Sequence, residues 1–213
     1  MDDPRLELMS KSGLVYRYRE ATHVNAHLFI MLHGLSGDEN AMWDLEHLYP
    51  VDGFIVAPRG LFPLGDGKYS WVKEPLQGWP STDDFMSAIA ALKALIGELQ
   101  DRFAIKNDPP VFMGFSQGAA LAFGVASDST IRLQAIIAVA GFVPEGEYSE
   151  LNGLPIFWGH GLKDQWIPIE RARRDARLLK DAGAEVHLCE ADVGHKLGVE
   201  CLQGLGGWVR GLI

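Results

Sequence analysis

The sequence is poor in cysteine: it has two in 213 residues, Cys189 and Cys201. Neither has metal-ligand spacing, so no metal is implied and both are expected to be reduced, small buried residues. Positive charge is also short. Against 28 Asp and Glu stand 19 Lys and Arg, a formal net charge of -9, and phosphate backbones need a clustered positive field, which excludes nucleic acid as a partner. The one basic run, Arg171, Arg173, Arg174, Arg177 and Lys180, lies on a helical pattern whose other face is Ile169, Ala172, Ala176 and Leu179, so a solvated helix face is expected. No apolar run reaches membrane-spanning length, and Met1-Asp2-Asp3-Pro4-Arg5 lacks the basic and apolar regions of a secretory signal. A cytoplasmic protein without stable membrane insertion is expected. Repeats and low-complexity segments are missing too, and the length fits one domain over residues 1–213.

What the chain does have is 47% hydrophobic residues in short runs that alternate with helical patterns. Leu28 to Leu32, Phe54 to Ala57, Val111 to Met113, Ala135 to Val139, Ile156 to Trp158 and Val186 to Leu188 read as strands. Near-continuous apolar strands are covered on both faces, so the expected fold is α/β: a mostly parallel central sheet with helices on both sides. Residues 5–20, with Leu6, Leu8, Val15, Tyr16 and Tyr18 around Ser12-Gly13, alternate as an antiparallel edge hairpin does. After Ser81-Thr82-Asp83-Asp84, where Ser81 is the expected cap, Phe85, Ile89, Leu92, Leu95, Leu99 and Phe103 recur at helical spacing. Pro58 to Pro80 reads as a long loop rich in Gly, Pro and aromatics, a length that usually signals function.

The most informative stretch is Gly114-Phe115-Ser116-Gln117-Gly118, which follows the apolar strand Val111 to Met113 and opens the run Ala119, Ala120, Leu121, Ala122, Phe123. Strand, sharp turn and helix are the setting of a nucleophile elbow, which presents Ser116 Oγ where free helix N–H groups favour developing negative charge. A serine hydroxyl needs a general base, and the base needs a carboxylate to fix its tautomer. In α/β-hydrolases the order is Ser, acid, His. Asp164 follows one strand end and His195 lies in the loop after the last strand, in that order. His33 and His160 precede glycines at strand ends and read as loop-orienting residues, His187 as a sheet residue; Asp192 is the competing acid. The oxyanion hole takes the Gln117 amide and, from the loop His33-Gly34-Leu35-Ser36-Gly37-Asp38-Glu39, the Leu35 amide.

Through these residues the chain resembles the phospholipase/carboxylesterase family of small α/β-hydrolases, a group that includes acyl-protein thioesterases and bacterial carboxylesterases. The resemblance is carried by His33 to Asp38, Ala57-Pro58-Arg59-Gly60, Gly114 to Gly118, Val139-Ala140-Gly141-Phe142, His160 to Pro168, and Gly194-His195. It implies Ser116 as nucleophile, Asp164 as acid, His195 as base and the Leu35 and Gln117 amides as oxyanion hole. Ala119 stands where many relatives have a further glycine, and Leu35-Ser36-Gly37 where many read Leu-Gly.

The chemistry expected is serine carboxylesterase hydrolysis of acyl or aryl esters, with no cofactor or metal. A thioesterase, a lysophospholipase or a non-catalytic binding protein on the same fold are the alternatives. Trp43, Phe62, Trp71, Trp79, Phe142 and Trp166 lie in segments near strand ends and are candidate lining for an apolar substrate pocket. The expected partner is a small-molecule ester, and an apolar sheet edge or helix would support a homodimer.

Overall fold

A computed structural model describes residues 8–212 apart from 23, 25, 49–52, 74–77, 104, 106 and 107. The chain runs β1 (Leu8–Met9), β2 (Val15–Arg19), β3 (Leu28–Leu32), β4 (Phe54–Pro58), β5 (Phe62–Gly65), β6 (Lys68–Ser70), α1 (Met86–Arg102), β7 (Val111–Phe115), α2 (Gln117–Ser127), β8 (Ala135–Val139), β9 (Pro155–Gly161), α3 (Ile169–Asp181), β10 (Glu185–Ala191) and α4 (Val199–Arg210). Eight strands form one sheet in the order β1-β2-β4-β3-β7-β8-β9-β10. From β4 through β3, β7, β8 and β9 to β10 every pairing is parallel, and β2 closes one side antiparallel to β4. The N-terminal hairpin β1–β2 is antiparallel as its alternation predicts, with Leu6 outside the described residues.

The parallel strands are apolar on both faces because both faces are covered. Ile30, Phe112, Ile136 and Trp158 pack with α1, α2 and α3, while Met31, Met113, Ile137 and Phe157 pack with Cys201, Leu205 and Val209 of α4. α2 is the most enclosed helix: Gln117 to Val125 are all buried. From β3 the chain steps to β4 on one side, then returns through α1 to β7 on the other. The C-terminal ends of β3 and β7 therefore flank the crevice at a topological switch point, where open α/β sheets bind ligands.

Several expectations are corrected. The stretch from Pro58 to Pro80 is not one loop: β5 and β6 form a separate antiparallel hairpin with Gly65 paired to Lys68. Its turn, Asp66-Gly67, has φ of 50° and 69°, the conformation of a two-residue hairpin turn for which Asp-Gly is the local signal. Ser81 does not cap α1, which starts after a 3-10 turn over Asp83–Phe85. Instead the Asp84 carboxylate accepts from both the amide and the hydroxyl of Ser81 at 2.8 Å.

The basic face of α3 is only partly solvated. Arg171 donates to the buried Asp175 carboxylate at 3.0 Å and to the Val143 carbonyl at 2.9 Å, with its guanidinium 4.3 Å from the Trp79 ring. The cysteines are not reduced: Cys189 on β10 and Cys201 on α4 form a disulfide. Sequence spacing hides this pair, because the two positions meet only where the chain leaves the sheet edge and folds back across β9. Among the described residues no helix is long and apolar enough to cross a membrane.

Candidate active site

Ser116 sits between β7 and α2 with φ 53° and ψ -113°, a left-handed backbone that a non-glycine residue adopts only under local constraint. Its amide donates to the Val139 carbonyl at 2.9 Å, and its carbonyl accepts from Ala120 at 3.1 Å. The flanking glycines are dictated by contact. A Cβ at Gly114 would lie 2.3 Å from the Gly118 carbonyl oxygen, and one at Gly118 would lie 2.1 Å from that of Leu32. Strand, turn and helix close onto each other only without those side chains.

Asp164 lies beyond β9 and is buried. Its Oδ1 accepts the Trp166 and Ile167 amides at 2.9 and 3.0 Å, and its Oδ2 accepts His195 Nδ1–H at 2.7 Å. Burial raises the carboxyl pKa, but the Ile167 amide, His195 and the Trp166 amide outweigh it and hold the group below its ordinary value. His195 comes from the loop between β10 and α4, and its ring centroid is 5.0 Å from that of Phe115, the residue before Ser116. The acid and base loops are fastened together by the backbone: Leu162 N–H donates to the Ala191 carbonyl at 2.8 Å and Lys163 N–H to that of Val193 at 2.9 Å.

The competing residues have other work. Asp192 is exposed and pairs with Lys163 Nζ at 2.7 Å. His160 is buried and donates from Nε2 to the Ile167 carbonyl at 2.9 Å, so it shapes the loop that holds Asp164. The Nδ1–H of His33 donates to the Gly34 carbonyl at 2.6 Å, and Nε2 accepts from the Gly60 amide at 2.8 Å. Burial lowers the pKa of both histidines and keeps them neutral. His187 is in β10, as its pattern predicts.

The Leu35 loop leaves the end of β3 and turns through Ser36 at φ 66°. Ser36 N–H donates to the Tyr69 carbonyl at 2.9 Å and Gly37 N–H to that of Gly34 at 3.0 Å, while the Leu35 amide has no acceptor among the described residues. Gln117 is the first residue of α2, so its amide also lacks an intrahelical acceptor. Sequence reasoning missed what secures this loop. Arg59 donates from Nε and Nη2 to the two Glu39 carboxylate oxygens at 2.6 Å each, a bidentate pair across from the end of β4. That bond holds the Glu39 carboxyl below its ordinary pKa. A glutamate two residues beyond the loop glycine, with an arginine at the next strand end, was the available signal.

The six aromatic candidates separate into anchors and surface. Trp71 is fully enclosed and offers nothing to a ligand, which corrects its expected place in the pocket. Trp43 is half-buried and donates from Nε1 to the Glu39 carbonyl at 2.7 Å, so it anchors its own loop. Phe62 is half-buried on β5. Phe142 follows Gly141, where a Cβ would lie 2.4 Å from that of Ala119; it is itself buried, with its ring 4.8 Å from that of Trp79. Trp79 is 38% and Trp166 78% exposed, leaving both with surface to offer. Among the described residues no group of three His, Cys, Asp or Glu is placed to hold a metal ion.

The sheet order and the strand-to-helix turn at its centre are those of the α/β-hydrolases. Within that class, the pattern of the phospholipase/carboxylesterase family matches residues 19–210. The chain belongs to this family. It is 27% identical over 182 residues to a Bacillus subtilis protein named as a hydrolase, MhqD, covering 84% of this chain and 90% of that one. With acyl-protein thioesterase 1 of Yarrowia lipolytica it shares 28% identity over 208 residues, 85% of this chain and 89% of the relative. The crystal structure of a carboxylesterase from Mesorhizobium loti superposes with a TM-score of 0.86 at 21% identity, covering 98% of this chain and all of the other. Family and fold together support a hydrolase of the carboxylesterase/thioesterase type.

Proposed function

We propose that this protein is a serine carboxylesterase whose nucleophile is Ser116, with His195 as general base, Asp164 as its orienting carboxylate and the Leu35 and Gln117 amides as the oxyanion hole. The observation that carries this reading is the 2.7 Å bond between His195 Nδ1 and Asp164 Oδ2. An ionised carboxylate accepts, so Nδ1 carries the proton and Nε2 keeps its lone pair for the Ser116 hydroxyl. In the reaction, Ser116 Oγ attacks the ester carbonyl as Nε2 takes its proton, and the imidazolium returns that proton to the leaving alkoxide. Water, deprotonated by the same nitrogen, then releases the acid from the acyl-enzyme. The two amides stabilise the oxyanion of each tetrahedral intermediate. No step calls on a metal or cofactor.

Trp79, Trp166 and Phe62, which keep exposed surface, favour an apolar acyl or aryl group on the substrate. Replacing Ser116 by Ala is expected to abolish turnover of a p-nitrophenyl ester; near-full turnover in that variant would overturn the assignment. A series of p-nitrophenyl esters of rising chain length tests the apolar pocket, which preference for charged, hydrophilic esters would contradict. Likeness to an acyl-protein thioesterase favours acyl thioesters as a second reading, separated by comparing an acyl ester with a thioester of the same acyl chain. Cytoplasmic placement belongs to the same proposal, and the disulfide weighs against it, since disulfides persist mainly in oxidising compartments. Cell fractionation decides between them, and recovery from the cell envelope would overturn the cytoplasmic reading.

A further inference from the structure

We propose that Trp71 is a positioning residue for the oxyanion hole, tying its two amides to one rigid segment; the inference rests on the roles given above to Leu35 and Gln117. Those amides come from different elements, the loop after β3 and the start of α2. Oxyanion donors act only when both are held close to hydrogen-bonding distance from the same point. Trp71 reaches both sides. Its indole Nε1–H donates to the His33 carbonyl at 2.8 Å, and its backbone N–H donates to the side-chain Oε1 of Gln117 at 3.0 Å.

The neighbours of Trp71 reinforce both attachments. Ser70 Oγ lies 3.2 Å from Gln117 Nε2, which donates to it. Tyr69 accepts from Ser36 N–H at 2.9 Å and donates to the Gly37 carbonyl at 3.1 Å. Leu35 is thus bracketed, with the His33 carbonyl before it and the Ser36 amide after it both bonded to residues 69–71. The His33 carbonyl also abuts the elbow, since a Cβ at Gly118 would lie 2.6 Å from it. Trp71 is fully buried, with its ring 4.8 Å from that of His33. The backbone donor to Gln117 would be there with any residue, but a side chain needed only as filler has no use for the indole N–H bonded to the His33 carbonyl; phenylalanine would serve.

The test is Trp71→Phe, which keeps the backbone donor and most of the packing but removes Nε1–H. Kinetics on a p-nitrophenyl ester are paired with the inhibition constant of an aryl trifluoromethyl ketone, which forms a tetrahedral oxyanion on the serine. The expected result is a kcat lower by about tenfold to a hundredfold, an unchanged KM, and an inhibition constant raised by a similar factor. Gln117→Met removes the acceptor from the other side and is expected to give the same split, so a poorly folding Trp71→Phe does not shield the proposal. Folded variants with wild-type kcat and inhibition constant would overturn it, as would a loss confined to thermal stability. A wild-type chain without ester turnover would instead overturn the proposed function, and this inference with it.

Discussion

Asp164 has three donors and a buried setting, whereas Asp192, near His195 in sequence, has one exposed lysine. The difference makes a sharp prediction. In Asp164→Asn one oxygen can still accept the Trp166 and Ile167 amides, but the new NH2 faces His195 and forces Nδ1 to accept. The proton then sits on Nε2, where the base must be bare, and kcat is expected to fall by about 10^4 with the fold retained. Asp192→Asn is expected to leave kcat unchanged, and steady-state kinetics on one ester compares the two. The placing of Ser116 at a strand-to-helix turn and the meeting of Asp164 with His195 were legible in the sequence because chain order and strand-end settings constrain these positions jointly. Trp71 was misread because an aromatic near a strand end looks the same whether it lines a pocket or braces a loop. Only the partner of its indole N–H, the His33 carbonyl far off in sequence, distinguishes the two.

At the scale of elements, the disulfide has the clearest consequence. Cys189 and Cys201 bracket the loop that carries His195 and join β10 to α4. Closing a loop of 12 residues is worth about 3 kcal/mol in the chain-entropy account. The double variant Cys189→Ala, Cys201→Ala is therefore expected to unfold at a lower urea midpoint, by about that free energy, and chemical denaturation of both proteins measures it. α1 offers a second check. Leu92 is fully buried on the helix face that meets the sheet, and Leu92→Ala is expected to cost about 2–5 kcal/mol by the same measurement. The face of α1 was readable from Phe85, Ile89, Leu92, Leu95 and Leu99, since helical period alone decides which side is buried. Its start was not, because Ser81 and Asp84 satisfy each other instead of capping the helix.

For the whole molecule, buried ionisable groups set the response to acid. His33 and His160 are held below their ordinary value of 6.5 by burial. Above that pH they are neutral folded or unfolded. As pH falls below it the unfolded chain binds protons first, so stability declines until the folded-state values are reached. Glu39, held low by Arg59, and Asp164 add a second stage. Their contribution is present above roughly pH 4 and is lost as pH falls through their lower folded values. Urea midpoints are expected to be flat from neutrality to about pH 9 and to fall in these two stages on the acid side; a midpoint that rises between neutrality and pH 5 would contradict the burial of the histidines.

The parallel sheet itself was legible, because strands such as Leu28–Leu32 and Ala135–Val139 are apolar on both faces and only a sheet covered on both sides uses them. The β5–β6 hairpin was not, since half-exposed residues carry little hydrophobic signal and only Asp66-Gly67 marked it. That hairpin matters because its end supplies the segment that braces Leu35 and Gln117. The switch-point crevice thus gathers groups from β3, β7, β9 and β10 that no local stretch contains. The assignment of Ser116 as nucleophile is tested most directly by intact-mass and peptide-mass analysis after treatment with a fluorophosphonate. One phosphonyl adduct per chain is expected, on Ser116, absent in Ser116→Ala and strongly slowed in His195→Ala. No adduct on the folded wild-type chain, or an adduct on a different residue, would contradict it.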